Sequence, residues 1–241
     1  MLALDREAGG TEPIPSYDAW PDERMARDIK RMARAGIDIV FTAVDAGDLS
    51  DRLIRARYRR FLDVTQRSGY DINVAFVLTD LKAPREQLHK KRLYGWLLSL
   101  NIRDSSCYLS RQGNPLVLVN HPAGSHLHHP GLRFQGVGRG TPWVWPGQRS
   151  ASELVSPPYA GEQGVAVAGD PALDRNHAAR ARMFRRTFRT AAAKGPRYLC
   201  IFSWNNYRQA RFIEHNSLDW NKMYNLVAQE VSLLKTRGKT E

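Results

Sequence analysis

The chain alternates between amphipathic segments and continuous apolar runs. From Asp22, apolar residues recur every three or four positions, which predicts a helix that stops at Gly36. The run IDIVFTAVD (37–45) follows and is typical of a strand buried on both faces. The pattern then repeats, with a helix around Tyr58 and Phe61, a stop at Gly69, and the apolar run INVAFVLTD (72–80).

The same alternation continues, with an interruption in the middle of the chain. A helix after Pro84 leads to the strand NPLVLVNH (114–121). Between residues 120 and 164 the sequence offers two short strands, LRFQGVG (132–138) and TPWVW (141–145), and no clear helix. Regularity returns with GVAVAGD (164–170), a helix over about 176–194, the run RYLCIFSWN (197–205) and a final helix around Met223 and Val227.

Helices that alternate with buried strands predict a parallel sheet with right-handed crossovers. Seven strands are predicted, near residues 37, 72, 115, 132, 142, 164 and 198, and residues 2–4 offer a short or incomplete first strand. We therefore predict a single α/β domain over residues 1–241, a small and degenerate (β/α)8 TIM barrel in which loops replace helices in the middle. An open doubly wound sheet is the alternative, although no Gly-rich phosphate fingerprint follows any strand.

The composition is that of a folded and strongly basic protein. Hydrophobic residues make up 42% of the chain and aromatic residues 10%, which is enough for a packed core and excludes disorder as the main state. The net charge of +12 favours polyanionic partners such as nucleic acid, anionic polysaccharide or phospholipid surfaces. Three basic stretches, RMARDIKRMAR (24–34), RLIRARYRR (52–60) and RARMFRRTFR (180–189), fit the solvent-facing sides of amphipathic helices.

Other classes of protein find little support in the sequence. Two cysteines cannot form a disulfide framework. No terminal segment has the order of a signal peptide, and no apolar run approaches the roughly 18 residues that span a bilayer, so we expect a soluble chain without a membrane partner. The loop HPAGSHLHHP (121–130) carries four histidines without rigid support, so neither a metal nor another cofactor is predicted.

Polar and aromatic residues occupy the positions where a parallel β/α barrel builds its active site, the carboxyl ends of the strands. These residues are Asp45, Asp80, Asn120, His121, Trp143, Trp145, Asp170, Trp204, Asn205 and Asn206. Such a set suits a polyhydroxylated ligand, because carboxylates and amides bond hydroxyl pairs and indoles cover apolar ring faces. Structural alternatives remain: Asp45 and Asp80 as helix N-caps, Asp170 as a turn residue, and the two Trp residues as core.

The segment FSWNNYRQARFIE (202–214) resembles the last barrel strand of glycoside hydrolase family 99 endo-α-mannosidases and related polysaccharide-acting families. Their pattern there is approximately Asn-Glu-Trp-x-Glu-Gly-x-x-Ile-Glu-Pro. It places the Asn on Asn205, the first Glu on Asn206, the Trp on Tyr207, the second Glu on Gln209 and the last Glu on Glu214. A looser similarity covers most of the chain from residue 17 onward. The resemblance implies a TIM barrel that acts on a glycan.

The departures from this pattern concern the acid and base of the reaction. The two glutamates to which the resemblance assigns proton transfer correspond here to Asn206 and Gln209, and an amide cannot hold or release a proton near neutral pH. Both amides can still hydrogen-bond sugar hydroxyls. Because glycoside cleavage typically needs two carboxyl groups about 5 to 9.5 Å apart, the catalytic candidates in this chain are Glu214, Asp45 and Asp80.

Three functions follow from these observations. The first is a glycoside hydrolase acting on a polysaccharide or glycan, with an anionic one favoured by the surplus of Lys and Arg. The second is a catalytically inactive glycan-binding relative, or a module of a larger carbohydrate-processing protein. The third, a nucleic-acid-binding protein, lacks a stripe of Lys and Arg interleaved with aromatic residues, so no specific nucleic-acid partner is predicted. The predicted substrate-binding residues are Trp204, Asn205, Asn206, Gln209, Tyr207, Trp143, Trp145, Asn120, His121 and Asp170.

Overall fold

The computed structural model describes residues 21–45, 48–79, 87–120, 127–137, 163–167, 177–196, 198–202, 205–206, 211–212 and 221–237. These residues fall into two compact units. The first contains the described residues of 20–33 and 37–139, and the second those of 34–36 and 140–241. None of the described helices has an apolar stretch that could span a bilayer. A single barrel domain over residues 1–241 stays a prediction.

The first unit follows the predicted alternation of helices and strands. Its elements are α1 (Asp22–Arg34), β1 (Ile39–Asp45), a 3-10 turn (Asp48–Ser50), α2 (Arg52–Arg67), β2 (Asn73–Thr79), α3 (Gln87–Ser99), β3 (Ser110–Arg111), β4 (Asn114–Val119) and β5 (Arg133–Gly136). The structure thus confirms the predicted helices from Asp22, around Tyr58 and after Pro84. It also confirms the strands predicted near residues 37, 72, 115 and 132.

Four of these strands form a parallel sheet in the order β1-β2-β4-β5. The short β3 pairs with β4 in the antiparallel direction and forms a hairpin that the sequence analysis did not predict. Its two-residue loop consists of Gln112 and Gly113, whose φ angles are 55° and 79°. Both loop residues therefore have the left-handed conformation that tight hairpins require, which glycine adopts readily and glutamine rarely.

One face of the sheet is covered by helices. Thr42, Phe76, Val117 and Phe134 form a row in register across the four parallel strands. The Phe76 ring lies against Tyr58 of α2, with ring centroids 5.7 Å apart, and Phe134 lies 5.6 Å from Tyr94 of α3. Because side chains alternate between the two faces of a strand, this row identifies the helix-covered face along all four strands.

Tyr108 joins β2 to β4 on this face. Its hydroxyl accepts a hydrogen bond from the Phe76 backbone N–H at 3.1 Å and donates one to the Leu116 carbonyl oxygen at 3.0 Å. The side chain is buried, and desolvation raises the pKa of the phenol. A buried hydroxyl thus satisfies two backbone groups that the β2–β4 ladder does not pair with each other.

Two arginines of the basic stretches are buried, which corrects, at these two positions, the prediction that the stretches form the solvent-facing sides of amphipathic helices. Arg24 on α1 is 3% exposed and lies 3.7 Å from the carboxylate of Asp28, one helical turn away. Arg180 is fully buried. Long cationic side chains can bury their aliphatic stems against apolar neighbours, so charge alone did not indicate exposure at these two positions. Other arginines of the same stretches, such as Arg57 and Arg182, are exposed as predicted.

The second unit contains a parallel strand pair, two helices and a short hairpin. Its elements are β6 (Gln163–Val167), α4 (His177–Ala192), β7 (Tyr198–Phe202), β8 (Asn205–Asn206), β9 (Arg211–Phe212) and α5 (Lys222–Arg237). Strands β6 and β7 pair in parallel, and both match predicted strands. The strands predicted over residues 141–145 and 2–4 lie outside the described residues.

Gly164 allows α4 to approach β6 closely. A Cβ atom on this residue would lie 2.9 Å from Cγ of Pro196 and 3.1 Å from Cβ of Ala191. Distances of this kind leave no space for a side chain, so the position needs glycine. Helices α4 and α5 are joined by Glu230, whose buried carboxylate pairs with Arg185 and Arg189.

Candidate functional site

The carboxyl ends of three adjacent parallel strands carry hydrogen-bonding side chains in one row. Asp45 and Thr79 are paired in register as the last residues of β1 and β2. Asn120 follows β4 directly, and its backbone N–H donates to the Leu78 carbonyl oxygen at 2.8 Å, which extends the β2–β4 ladder to this residue. Since Leu78 is paired with Val119, Asn120 lies beside Thr79. A carboxylate, a hydroxyl and an amide therefore occupy one edge of the sheet.

This row lies on the face of the sheet opposite the helices. Asp45 comes three residues after Thr42, and Thr79 three residues after Phe76, which both belong to the helix-covered face. An odd spacing along a strand places two side chains on opposite faces. The same spacing relates Asn120 to Val117, the partner of Phe76. We call Asp45, Thr79 and Asn120 the rim row.

The rim row is accessible, whereas the residues directly before it are not. Asp45, Thr79 and Asn120 are all partly exposed. The preceding residues Val44, Leu78 and Val119 are fully buried and anchor the strand ends in the core. Adjacent strands are about 4.8 Å apart, so the row spans about 10 Å from β1 to β4. A rigid, packed sheet thus presents three different polar groups at a fixed spacing.

Backbone contacts hold the end of β1 in position. The Tyr58 hydroxyl of α2 donates to the Ala43 carbonyl oxygen at 3.2 Å, and the Thr79 hydroxyl donates to the Val44 carbonyl oxygen at 3.4 Å. The second contact is long and therefore weak, so the Thr79 hydroxyl remains able to bond a ligand. These contacts hold the carbonyl groups of the two residues that precede Asp45.

Asp45 is not the N-cap of the next helix, which removes one alternative for its role. The N-cap of α2 is Asp51, whose carboxylate accepts hydrogen bonds from the N–H groups of Leu53 at 2.7 Å and Ile54 at 3.3 Å. The 3-10 turn lies between Asp45 and this cap. The carboxylate at the strand end is therefore not needed to start α2.

Thr79 and Gln135 are polar residues of this face that the sequence analysis missed. Gln135 is paired in register with Leu118, two residues before Asn120, and so lies one row below the rim. Its side-chain amide donates to the Gly136 carbonyl oxygen at 3.2 Å. Counting three residues forward from Phe76 would have identified Thr79, and counting two residues back from Asn120 to Leu118, then across to its register partner, would have identified Gln135. That count requires the strand register, which the sequence does not contain.

The other predicted site residues have no described side chain. Nine lie outside the described residues: Asp80, His121, Trp143, Trp145, Asp170, Trp204, Tyr207, Gln209 and Glu214. Asn205 and Asn206 form β8, and their backbones pair with Phe212 and Arg211 of β9 in an antiparallel ladder. The chain thus pairs with itself shortly after β7, in a hairpin that was not predicted. The side-chain roles assigned to all eleven residues stay predictions.

Two of the four loop histidines are described and have structural contacts. His129 accepts a hydrogen bond from the Gly131 N–H at its Nδ1 atom, at 3.0 Å, and its ring lies 5.1 Å from that of Tyr94. The backbone N–H of His128 donates to the Tyr94 hydroxyl at 3.1 Å. Within the described part of the chain, no group of three or more His, Cys, Asp or Glu residues is placed to hold a metal ion.

Comparison with known proteins gives matches in structure and none in sequence. No protein-family model matches the chain, and no curated protein matches it. The structure of the GH99 endo-α-mannosidase from Bacteroides thetaiotaomicron in complex with bis-tris-propane superposes with a TM-score of 0.67 at 12% identity, covering 96% of this chain and 90% of that chain. A second structure of the GH99 endo-α-mannosidase from Bacteroides thetaiotaomicron gives a TM-score of 0.66 at 14% identity, covering 95% and 84%.

These comparisons establish the fold and nothing finer. The chain has the α/β fold of the GH99 endo-α-mannosidase structures, which favours the predicted barrel type over the open doubly wound sheet. Closure of the barrel stays a prediction. At 12% to 14% identity the likeness does not carry residue roles from one chain to the other.

Proposed function

We propose that this protein binds a polysaccharide or glycan at the rim row and hydrolyses a glycosidic bond there. The observation that carries the proposal is the alignment of Asp45, Thr79 and Asn120 at the carboxyl ends of adjacent parallel strands. In β/α barrels this edge is where active sites form. The fold shared with endo-α-mannosidases supports a carbohydrate ligand by analogy.

The chemistry of the rim row suits sugar hydroxyls. The Asp45 carboxylate accepts two or more hydrogen bonds, the Asn120 amide both donates and accepts, and the Thr79 hydroxyl does either. The hydroxyl groups of a sugar offer the complementary donors and acceptors. Because the row stands on buried strand ends, its groups are held in place before a ligand arrives, which reduces the entropy lost on binding.

Hydrolysis would need a second carboxyl group near Asp45. Glycosidases typically place an acid and a base or nucleophile about 5 to 9.5 Å apart on either side of the scissile bond. We propose Asp45 as one of these groups and Glu214 or Asp80 as the other. Glu214 corresponds to the last glutamate of the motif that the sequence resembles, and Asp80 directly follows Thr79.

A catalytically inactive glycan-binding protein is the second candidate function. Its support is the pair Asn206 and Gln209, which stand where the resembling motif has its two glutamates. An amide at these positions can bind hydroxyls and cannot transfer protons. The two candidates predict the same ligand class and differ in turnover.

The experiment that separates them follows reducing ends and binding in parallel. The protein is incubated with a panel of mannans and acidic polysaccharides while new reducing ends are measured, and binding is followed by Trp fluorescence. Turnover that is lost in Asp45→Asn, and kept in Asp71→Asn, supports the hydrolase. Asp71 is an exposed carboxylate at the opposite, amino end of β2 and serves as the matched control.

Each remaining outcome also decides between the proposals. Binding without turnover, weakened by Asp45→Asn and not by Asp71→Asn, supports the glycan-binding protein and rejects the hydrolase. Turnover that persists in Asp45→Asn removes this residue from the catalytic pair. A glycan panel that gives neither turnover nor binding overturns the carbohydrate function.

A further inference from the structure

Arg55 of α2 lies beside Trp96 of α3, and three further arginines share the sides of these two helices. The Arg55 guanidinium carbon lies 6.0 Å from the centre of the Trp96 ring. Arg52 and Arg59 are three residues before and four residues after Arg55, so all three lie on one side of α2. Arg92 precedes Trp96 by four residues and shares its side of α3. We call this set (Arg52, Arg55, Arg59, Arg92 and Trp96) the cationic platform.

The centre of the platform is fixed and its border is open to solvent. Arg55 and Trp96 are partly buried, and a side-chain nitrogen of Arg55 donates to the Leu49 carbonyl oxygen of the 3-10 turn. Arg52, Arg59 and Arg92 are exposed. A guanidinium that lies beside an indole and donates to a backbone acceptor is already oriented before a partner arrives. The exposed guanidinium groups around it can turn toward an anion.

The acidic residues of α2 are too few to neutralise the arginines of the platform. The helix carries six arginines and one acid, Asp63. Two of the six, Arg60 and Arg67, contact Asp22 of α1 and belong to the other side of the helix. Asp63 follows Arg59 by four residues and offsets part of one charge. Asp51, the N-cap of α2, directly precedes Arg52, and Asp48 begins the 3-10 turn that contacts this helix, so three acids neighbour the four arginines and a small positive surplus remains.

The platform borders the 3-10 turn that follows β1. The 3-10 turn contacts β1, α2 and α3, and it accepts the hydrogen bond of Arg55. Asp48, where this turn begins, follows Asp45 by three positions, and an extended chain of this length reaches at most about 11 Å. A polymer that extends from Asp45 over the 3-10 turn would thus reach Leu49, the acceptor of the Arg55 hydrogen bond.

We propose that the cationic platform is a binding subsite for the anionic groups of an acidic polysaccharide, whose carboxylates or sulfates pair with Arg52, Arg55, Arg59 and Arg92 around Trp96. This inference rests on the proposed glycan function and names the class of glycan. Guanidinium groups bind carboxylate and sulfate oxygens through paired, charge-assisted hydrogen bonds. The exposed part of the Trp96 ring covers the apolar face of a sugar.

Nucleic acid is a weaker match to the same surface. Single-stranded nucleic acid is bound by several aromatic side chains on which successive bases stack, along a basic groove. The platform has one indole, so it lacks the succession of aromatic side chains on which several bases could stack. Its position beside the rim row also favours a partner that occupies both surfaces.

The test compares two triple variants with the same loss of charge. Arg52→Gln, Arg59→Gln and Arg92→Gln remove the exposed cations of the platform and leave the Arg55 contact to Leu49 intact. Arg27→Gln, Lys30→Gln and Arg34→Gln remove three exposed cations of α1 and serve as the control. Affinity is measured at 0.15 M salt for polygalacturonate, dextran sulfate, neutral mannan and single-stranded poly(dT). Circular dichroism verifies the fold of each variant.

We expect the platform triple variant to bind polygalacturonate or dextran sulfate about tenfold more weakly, from three exposed ion pairs of modest strength. The control triple variant should lose less than about twofold, since exposed cations outside the subsite make no direct ion pair with the bound anion and act on it only through screened attraction. Trp96→Leu should weaken the same binding. The polyanion that binds more tightly identifies the group recognised, a carboxylate for polygalacturonate or a sulfate for dextran sulfate.

Three outcomes would contradict the proposed subsite. Equal losses in the two triple variants would mean attraction by net charge alone. Tighter binding of poly(dT), with the same dependence on the platform, would assign the surface to nucleic acid. Acidic glycan binding that requires Asp45 and Asn120 but is unchanged in the platform triple variant would reject the subsite and keep the proposed function. Conversely, binding that needs the platform and is unchanged in Asp45→Asn would keep the subsite and reject the rim row.

Discussion

Asp45 and Thr79 stand side by side at the carboxyl ends of β1 and β2, the former a carboxylate and the latter a hydroxyl. Neither residue starts a helix or belongs to the helix-covered face. The pair, extended by Asn120, forms a polar row at the carboxyl edge of the sheet. Its use by a ligand can be tested separately for each side chain.

Thr79→Val should weaken glycan binding about fivefold, the value of one neutral hydrogen bond. Valine keeps the branched shape that a strand favours, so the fold should be retained. The measurement is the dissociation constant for whichever glycan of the panel binds. Unchanged affinity would show that the Thr79 hydroxyl does not contact the ligand.

Tyr108→Phe should lower the free energy of unfolding by about 1–3 kcal/mol. The substitution removes the hydroxyl that the Phe76 N–H and the Leu116 carbonyl share, and it leaves both buried groups without this partner. Urea unfolding followed by circular dichroism measures the change. Tyr70→Phe, which removes the hydroxyl of a partly exposed tyrosine, is the control and should have little effect.

The buried phenol of Tyr108 should also make the folded state less stable at alkaline pH. Burial raises the pKa of Tyr108 above its ordinary value of 10.0, so the folded state keeps the proton after the unfolded state has released it. The stabilisation is fully present below pH 10 and declines as the pH rises toward the folded-state pKa. Unfolding measured between pH 9 and 11 should show this decline in the wild type, and Tyr108→Phe should flatten it. An equal slope in both proteins would contradict the assignment.

Thr42→Val should raise the free energy of unfolding by about 1 kcal/mol. Thr42 is fully buried on β1, and its hydroxyl has no hydrogen-bond partner among the described residues. Valine has a similar shape without the cost of an unsatisfied buried hydroxyl. Thr65→Val is the matched control, because the buried Thr65 hydroxyl donates to the Phe61 carbonyl oxygen at 2.8 Å and its removal should not stabilise. A loss of stability in Thr42→Val would reveal a partner for the hydroxyl.

Removing the acid and removing the arginines of the ion pairs between α4 and α5 should lower the stability by different amounts. Glu230 is 6% exposed, whereas Arg185 and Arg189 are 47% and 66% exposed. Replacing both arginines by alanine leaves a buried carboxylate unpaired, and should destabilise by about 1–3 kcal/mol more than Glu230→Gln, which leaves only solvated cations. Thermal and urea unfolding measure both variants. Equal effects would mean that water reaches the carboxylate.

Local patterns predicted most of the described elements, because helix and strand periods are properties of neighbouring residues. The helix that stops at Gly36 and the strand that follows it occur as predicted. The hairpin at Gln112 and Gly113 was missed, since the loop carries glutamine where the commonest sequences have asparagine or aspartate. Hairpin β8–β9 was missed because its strands are too short to show alternation.

In the candidate site, the sequence predicted two of the residues but did not predict how they are arranged. Asp45 and Asn120 were identified from their places after apolar runs, and the structure brings them to one edge. Thr79, between them, was passed over in favour of the adjacent Asp80. The choice between two adjacent residues depends on which face each occupies, and a shift of one residue exchanges the faces.

The sequence by itself determined the alternation of helices and buried strands, the basic charge, and the polar residues that end the strands. These follow from composition and from spacing within a few residues. Only the tertiary structure decided that Asp45, Thr79 and Asn120 form one row, that Asp51 and not Asp45 caps α2, and that Arg24 and Arg180 are buried. The physical reason is that strand register and burial arise from contacts between distant segments, whose free energy no local pattern contains.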